Sequence, residues 1–158
     1  MSDETGRDEA AVQAFIEDFA LVLARSGLQR MAARMLAAVL CSDSGSMTVR
    51  EITESLQVSP AAVSGAARTL LQAGFLVKSR AAGDKVDRYA LGGRHWYEDV
   101  MTANRVYDDM SRSLEHGTAA AGPDTPAGER LAETRDFFAF IDSRIPSLVE
   151  EWQAQRDA

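Results

Sequence analysis

The sequence predicts a mainly α fold with a small β-wing, on three observations. Apolar residues recur at helical spacing along most of the chain. Near the middle, two helix start signals stand so close that only about two residues, Gln57 and Val58, separate the helices they open. A basic stretch of alternating β-branched and aromatic character follows at once.

In order along the chain, Val12, Phe15, Ile16, Phe19, Val22 and Leu23 form one apolar stripe on a helix over about residues 8–25, and Ser26-Gly27 ends it. A second helix carries Leu28, Met31, Ala32, Met35, Leu36, Val39 and Leu40 on one face, with Arg30 and Arg34 turned away as a solvated face. Residues 42–46, SDSGS, read as a loop. Thr48-Val49-Arg50-Glu51 matches a capping box, in which the Thr48 hydroxyl accepts from the Glu51 amide and the Glu51 carboxylate reaches back. Val49, Ile52 and Leu56 then face inward. Ser59-Pro60 opens the next helix, with Ser as N-cap and Pro at the first helical position, where a missing N–H costs nothing. Val63, Ala66, Ala67, Leu70 and Leu71 share its inner face, and Gly74 stands where a left-handed residue would close it. FLVKSR (75–80) and VDRYAL (86–91) read as the two strands of a wing, with a turn over residues 81–85.

Beyond the wing, Trp96, Val100, Ala103, Tyr107, Met110 and Leu114 predict one long helix over about residues 94–116, and GTAAAGPDTP (117–126) a flexible linker. Leu131, Thr134, Phe138, Ile141, Ile145, Leu148 and Trp152 then repeat as a seven-residue seam, with Pro146 expected to kink or restart the helix near Arg144. The expected organisation is therefore residues 1–47 as N-terminal helices for dimerisation and support, 48–93 as a winged helix-turn-helix, and 94–158 as a long helix, linker and C-terminal dimerisation helix.

Charge is distributed unevenly. The 158 residues sum to −7, yet residues 48–94 carry +3 while residues 1–47 sum to −3 and residues 95–158 to −7. A basic segment inside an acidic protein suits contact with one groove of double-stranded DNA and keeps the polyanion off the other faces. A helix-turn-helix with a wing is a device for seating one helix in the major groove. The outer face of that helix, Ala61, Gly65 and Arg68 flanked by Ala62 and Ser64, is small enough for close backbone approach and leaves Arg68 as the long cationic reader. Arg80, Lys85 and Arg88 at the wing suit phosphate or minor-groove contact, and Arg50 and Ser59 join the candidate DNA contacts. The apolar stripes on the flanking helices exceed what a reader of about 45 residues can cover, which predicts a homodimer through Phe15, Phe19, Phe138, Ile141, Leu148 and Trp152. Met31, Met35, Trp96 and Tyr107 are candidates to line a pocket for a small apolar or aromatic effector, with plain core as the alternative. The competing function is a winged-helix protein–protein interaction module whose basic face is incidental.

Catalysis finds no support: GxxxxGK[ST] is absent, His95 and His116 lack a carboxylate pattern, and no cofactor or metal is expected. The lone Cys41 has no adjacent cation and reads as a small buried hydrophobe. The acidic N-terminus has no apolar core of a leader, and no stretch approaches a membrane span, so a cytoplasmic setting is expected.

VSPAAVSGAARTLLQAGFLVKSR (58–80) with the GDKVDRYAL wing, and more weakly SGLQRMAARMLAAVL (26–40) and DFFAFIDSRIPSLVEEW (136–152), resembles the MarR-type winged-helix regulators, and within them the GbsR-like members. Nearly the whole chain is covered. The resemblance implies a dimeric regulator of transcription, a repressor on a pseudo-palindromic operator, in which flanking helices dimerise and a small molecule binds between the two parts. By position, Ser59, Ala61, Ala62, Ser64, Gly65 and Arg68 match the family's recognition-helix contacts, and Arg80, Lys85 and Arg88 its wing. Lys85-Val86-Asp87 stands where many family wings carry a denser run of Arg.

Overall fold

A computed structural model of the chain describes residues 6–80, 82–83, 85–103 and 105–158. The chain divides into two compact units, one ending at Trp96 and the other running from Tyr97 to Ala158.

The first unit is built around α2 (Arg30–Leu40), whose Ala32, Ala33 and Met35 to Val39 are all buried. Small side chains on nearly every face let three neighbours approach it: α1 (Glu9–Arg25), α3 (Val49–Leu56) and α4 (Pro60–Gln72). Each brings an apolar stripe, Ile16 and Ala20 from α1, Ile52 and Leu56 from α3, and Val63, Ala66, Ala67 and Leu70 from α4. Fully burying a side chain such as Ile52 or Leu70 contributes about 1.5–3 kcal/mol.

The start signals read from sequence close as expected. Asp8 caps α1 by accepting from the Ala11 amide at 3.0 Å. Thr48 and Glu51 form the reciprocal capping box of α3, and Ser59 accepts from the Ala62 amide at 3.2 Å to open α4. Gly74, at φ +76, ends α4 in the left-handed conformation that its sequence position called for.

The wing differs from the two-stranded expectation. β2 (Leu76–Ser79) and β3 (Arg88–Leu91) pair antiparallel as read, but β3 also pairs with β1 (Ser46–Thr48), giving the order β1-β3-β2. Three residues between a Ser/Gly loop and a helix cap carry too little alternation to mark a strand. The register decides which side chains meet: Thr48 lies opposite Arg88, and Lys78 opposite Tyr89. The turn expected over residues 81–85 includes Ala81 and Asp84, which lie outside the described residues.

The second unit corrects three expectations. The helix expected over 94–116 is two elements, α5 (Trp96–Ala103) and α6 (Val106–Ala121). The stretch expected as a linker is helical to Ala121 and then forms a tight corner into α7 (Pro126–Arg156). Thr125 builds that corner, its hydroxyl donating to the Ala121 and Gly122 carbonyls at 2.9 and 2.8 Å and accepting from the Gly128 amide at 3.0 Å. Gly128 is required there, because a Cβ would overlap the Gly122 carbonyl. Gly and Ala read as loop by composition, but here they allow close packing, and α6 lies along α7 with Tyr107 stacked on Phe138 at 5.9 Å. Helix α7 continues through Pro146 to Arg156 and does not restart near Arg144. The missing N–H removes one intrahelical bond, while the buried Ile145 beside it holds the segment in place. Glu98 of α5 is buried and takes Gln153 Nε2 at 2.7 Å and Arg156 Nη1 at 2.5 Å, both from the last turns of α7.

Candidate nucleic-acid interface

Burial of Val63, Ala66, Ala67 and Leu70 turns the opposite face of α4 outward. Ser59, Ala61, Ser64, Gly65 and Arg68 are exposed on or beside it, and Ala62 is half-buried. No heavy atom comes within 4 Å of where a Cβ on Gly65 would stand, so a nucleic-acid edge can approach the helix backbone there. Arg68 carries no ion pair among the described residues, and its guanidinium is available to a base edge. The helix N-terminus, with its unpaired amides and partial positive charge, lies at the same end as Ser59 and Ala61.

The wing cations behave differently. Asp87 bridges Lys78 at 2.7 Å and Arg80 at 2.5 Å, which holds its carboxyl below the usual aspartate range through the Lys78 contact first and Arg80 second. Arg88 is half-buried. It donates to the Ser46 hydroxyl and carbonyl at 3.2 and 3.3 Å and pairs with Glu51 at 2.9 Å. Glu51 is therefore shared between the Thr48 amide, the larger influence holding its carboxyl below the ordinary value, and Arg88. Arg50 pairs with Glu54 one turn along α3 at 2.8 Å. Lys85 is exposed and has no ion pair among the described residues. Sequence reasoning placed Arg80, Lys85 and Arg88 together as basic, but missed Lys78 and the neutralising role of Asp87. Only the β2–β3 pairing brings those three charges to one spot.

Of the candidate dimerisation residues, Phe15 and Phe19 stack at 5.4 Å, with Phe15 exposed and Phe19 packed on the core. Phe138 and Ile141 are half-buried, while Leu148 and Trp152 are exposed. The seam reading passed over Phe137 and Phe140, at 58% and 61% exposure the most open aromatic side chains on α7. Of the candidate effector residues, Met35 is wholly buried, Met31 packs against the same core, and Trp96 lies tilted against Phe75 at 6.3 Å, all within the first unit. Tyr107 belongs to the second unit. That unit contains an apolar cavity of about 280 Å³ lined by Tyr97, Glu98, Met101, Leu148, Val149 and Trp152. Burial pushes the half-buried Cys41 thiol up from its ordinary value, away from the reactive thiolate. No group of three His, Cys, Asp or Glu that could hold a metal occurs among the described residues. No described helix is long and apolar enough to cross a membrane.

Comparison with known proteins agrees with this geometry. The MarR family profile matches residues 26–85, which take in α2, the helix-turn-helix and much of the wing. A second profile, of MmpR5-like MarR family transcriptional regulators, matches residues 94–155, so the subgroup named there is MmpR5-like and not GbsR-like. The HTH-type transcriptional regulator MmpR5 of Mycobacterium tuberculosis is 26% identical over 142 residues, covering 89% of this chain and 86% of that protein. A crystal structure of a transcriptional regulator shares the fold, with a TM-score of 0.77 at 23% identity over 91% of this chain and 99% of the other. The reader and the helices that follow it are thus each matched within one family, and the chain belongs to the MarR family of DNA-binding transcriptional regulators.

Proposed function

We propose that the protein is a dimeric repressor that reads a pseudo-palindromic operator through α4, with Arg68 as the base-reading side chain and the wing on the phosphate backbone. The observation that carries this is the outward face of α4, where Ser59, Ala61, Ser64, Gly65 and Arg68 are exposed around one cation free of ion pairs among the described residues. Dimerisation through the N- and C-terminal helices is supported by the exposure of Phe15, Leu148 and Trp152, to which Phe137 and Phe140 are added. Large apolar side chains open to water in such numbers suit a surface that another copy covers. The supporting helices 1–47, the reader 48–93 and the helices 94–158 keep the functional roles expected of them. A small apolar or aromatic effector is part of the proposal. The cavity at Tyr97, Met101, Leu148 and Trp152 supports an apolar site in the second unit, beside the candidates Met31, Met35, Trp96 and Tyr107.

Selection of bound fragments from a random duplex pool tests the reading. The expected product is an inverted repeat with half-sites about one helical turn, roughly 34 Å, apart. Recovery of unrelated sequences with no preference would refute it.

A further inference from the structure

The corner between α3 and α4 is made without glycine. Gln57 closes α3 at φ 51, ψ 51, the one non-glycine residue at positive φ among the described residues. A side chain at that position disfavours the left-handed conformation, which persists only where the surroundings enforce it. Beyond Gln57 only Val58 and Ser59 remain before α4, so the peptide joining Leu56 to Gln57 sets the direction in which the reading helix departs.

That peptide is held from outside the motif. Arg34 of α2 donates through Nη2 to the Leu56 carbonyl at 3.2 Å, and the same guanidinium grips Glu17 of α1, Nε at 2.7 Å and Nη2 at 2.6 Å from Oε1. Gln13 of α1 adds a second tie, its Nε2 lying 3.3 Å from the hydroxyl of Ser55. Arg34 is largely enclosed, with a side-chain exposure of 21%, whereas Arg30, which reaches the same Glu17 at 3.1 Å, is half open to solvent and makes no contact with the corner. A planar guanidinium can satisfy a carboxylate and a carbonyl at once, which an ammonium cannot do in the same geometry. Arg30 and Arg34 share a helix and a partner, and only Arg34 touches the corner.

We propose that Arg34, oriented by Glu17, is a positioning residue for DNA recognition: it fixes the Leu56–Gln57 peptide against α1 and so sets the angle at which α4 meets the groove. This rests on the DNA-binding reading above, and it adds a mechanical connection from α1 to the reading helix. A reader held at the wrong angle keeps its charges and its attraction for phosphate, but loses the alignment that base contacts require.

The test compares wild type, Arg34→Gln, Arg34→Lys and Arg30→Ala well below their melting temperatures, on the palindrome recovered from the random pool and on a scrambled duplex, with active protein counted by stoichiometric titration. Arg34→Gln is expected to weaken palindrome binding by about tenfold or more, the worth of one charge-assisted hydrogen bond, while scrambled-duplex affinity and salt slope stay as in wild type. Arg34→Lys is expected to fall between the two and carries the test if the glutamine variant folds poorly. Arg30→Ala is expected to bind as wild type. Equal palindrome affinity in the Arg34 variants, a parallel loss on both duplexes, or an equal loss in Arg30→Ala would overturn the proposal. A wild-type protein that does not distinguish the duplexes would overturn the DNA-binding reading itself, and this inference with it.

Discussion

Helix α4 and the wing were both read from sequence as basic, DNA-facing elements, yet the structure treats their charges in opposite ways. On α4 the single cation Arg68 stands exposed, with no ion pair among the described residues. On the wing, Lys78 and Arg80 share Asp87, and Arg88 is tied to Glu51 and Ser46, leaving Lys85 as the exposed cation without such a pair among the described residues. Counting basic residues therefore overstates what the wing can offer phosphate. The difference assigns base preference to α4 and makes the wing a weak, charge-balanced contributor.

The comparison breaks most visibly at its foundation. Leu70 is wholly buried beneath α4, whereas Val86 is open to solvent. Leu70→Ala should lower stability by about 2–5 kcal/mol, and Val86→Ala should stay within about 0.5 kcal/mol, both read by denaturant unfolding. Similar losses in both would mean that the wing is as firmly packed as the reader.

Next in size is Arg68→Ala, expected to weaken binding by about 1–3 kcal/mol and to flatten base preference. Competition between the recovered palindrome and single-base variants reads this directly.

A smaller effect concerns the capping box that links the wing to α3. Thr48→Ala should lower stability by about 1 kcal/mol, and it also loosens the Glu51 carboxylate that holds Arg88. The pH dependence follows in sign. Glu51 has a folded-state pKa below its unfolded value, so its contribution is present above the ordinary glutamate range and disappears as pH falls through the depressed value. The unfolding midpoints of wild type and Glu51→Gln should converge as pH is lowered from 7 toward 3. A constant gap would exclude the ionised carboxylate as its source.

Smallest is Asp87→Asn, which frees Lys78 and Arg80 from a shared partner. Because these pairs are exposed, the gain in affinity should be about 1 kcal/mol or less, equal for all duplexes, and accompanied by a steeper salt dependence. A gain confined to one sequence would show the wing reading bases.

These contrasts also mark what could be read in the chain. Capping signals at Asp8, Thr48 and Ser59 and the apolar faces of α1 to α4 were legible because local chemistry and helical period fix them. β1 escaped notice because its three residues exist only through pairing with β3. The corner at Gly122 to Gly128 escaped because Gly and Ala signal a loop by composition and a close helix contact by geometry. Arg34 was assigned to a solvated face, since its position on α2 says nothing of the Leu56 carbonyl that α3 brings to it. The position of Arg68 was legible, but the neutralised state of the wing was not, because ion pairs between strands depend on register.

The most direct test of this division of labour is a salt titration of wild type and Arg68→Ala on the recovered palindrome and on its scrambled counterpart. The account predicts that Arg68→Ala binds both duplexes alike, with a salt slope within about one of wild type, because one cation is lost and the wing is unchanged. Retained preference for the palindrome in Arg68→Ala would place base reading elsewhere and contradict the account.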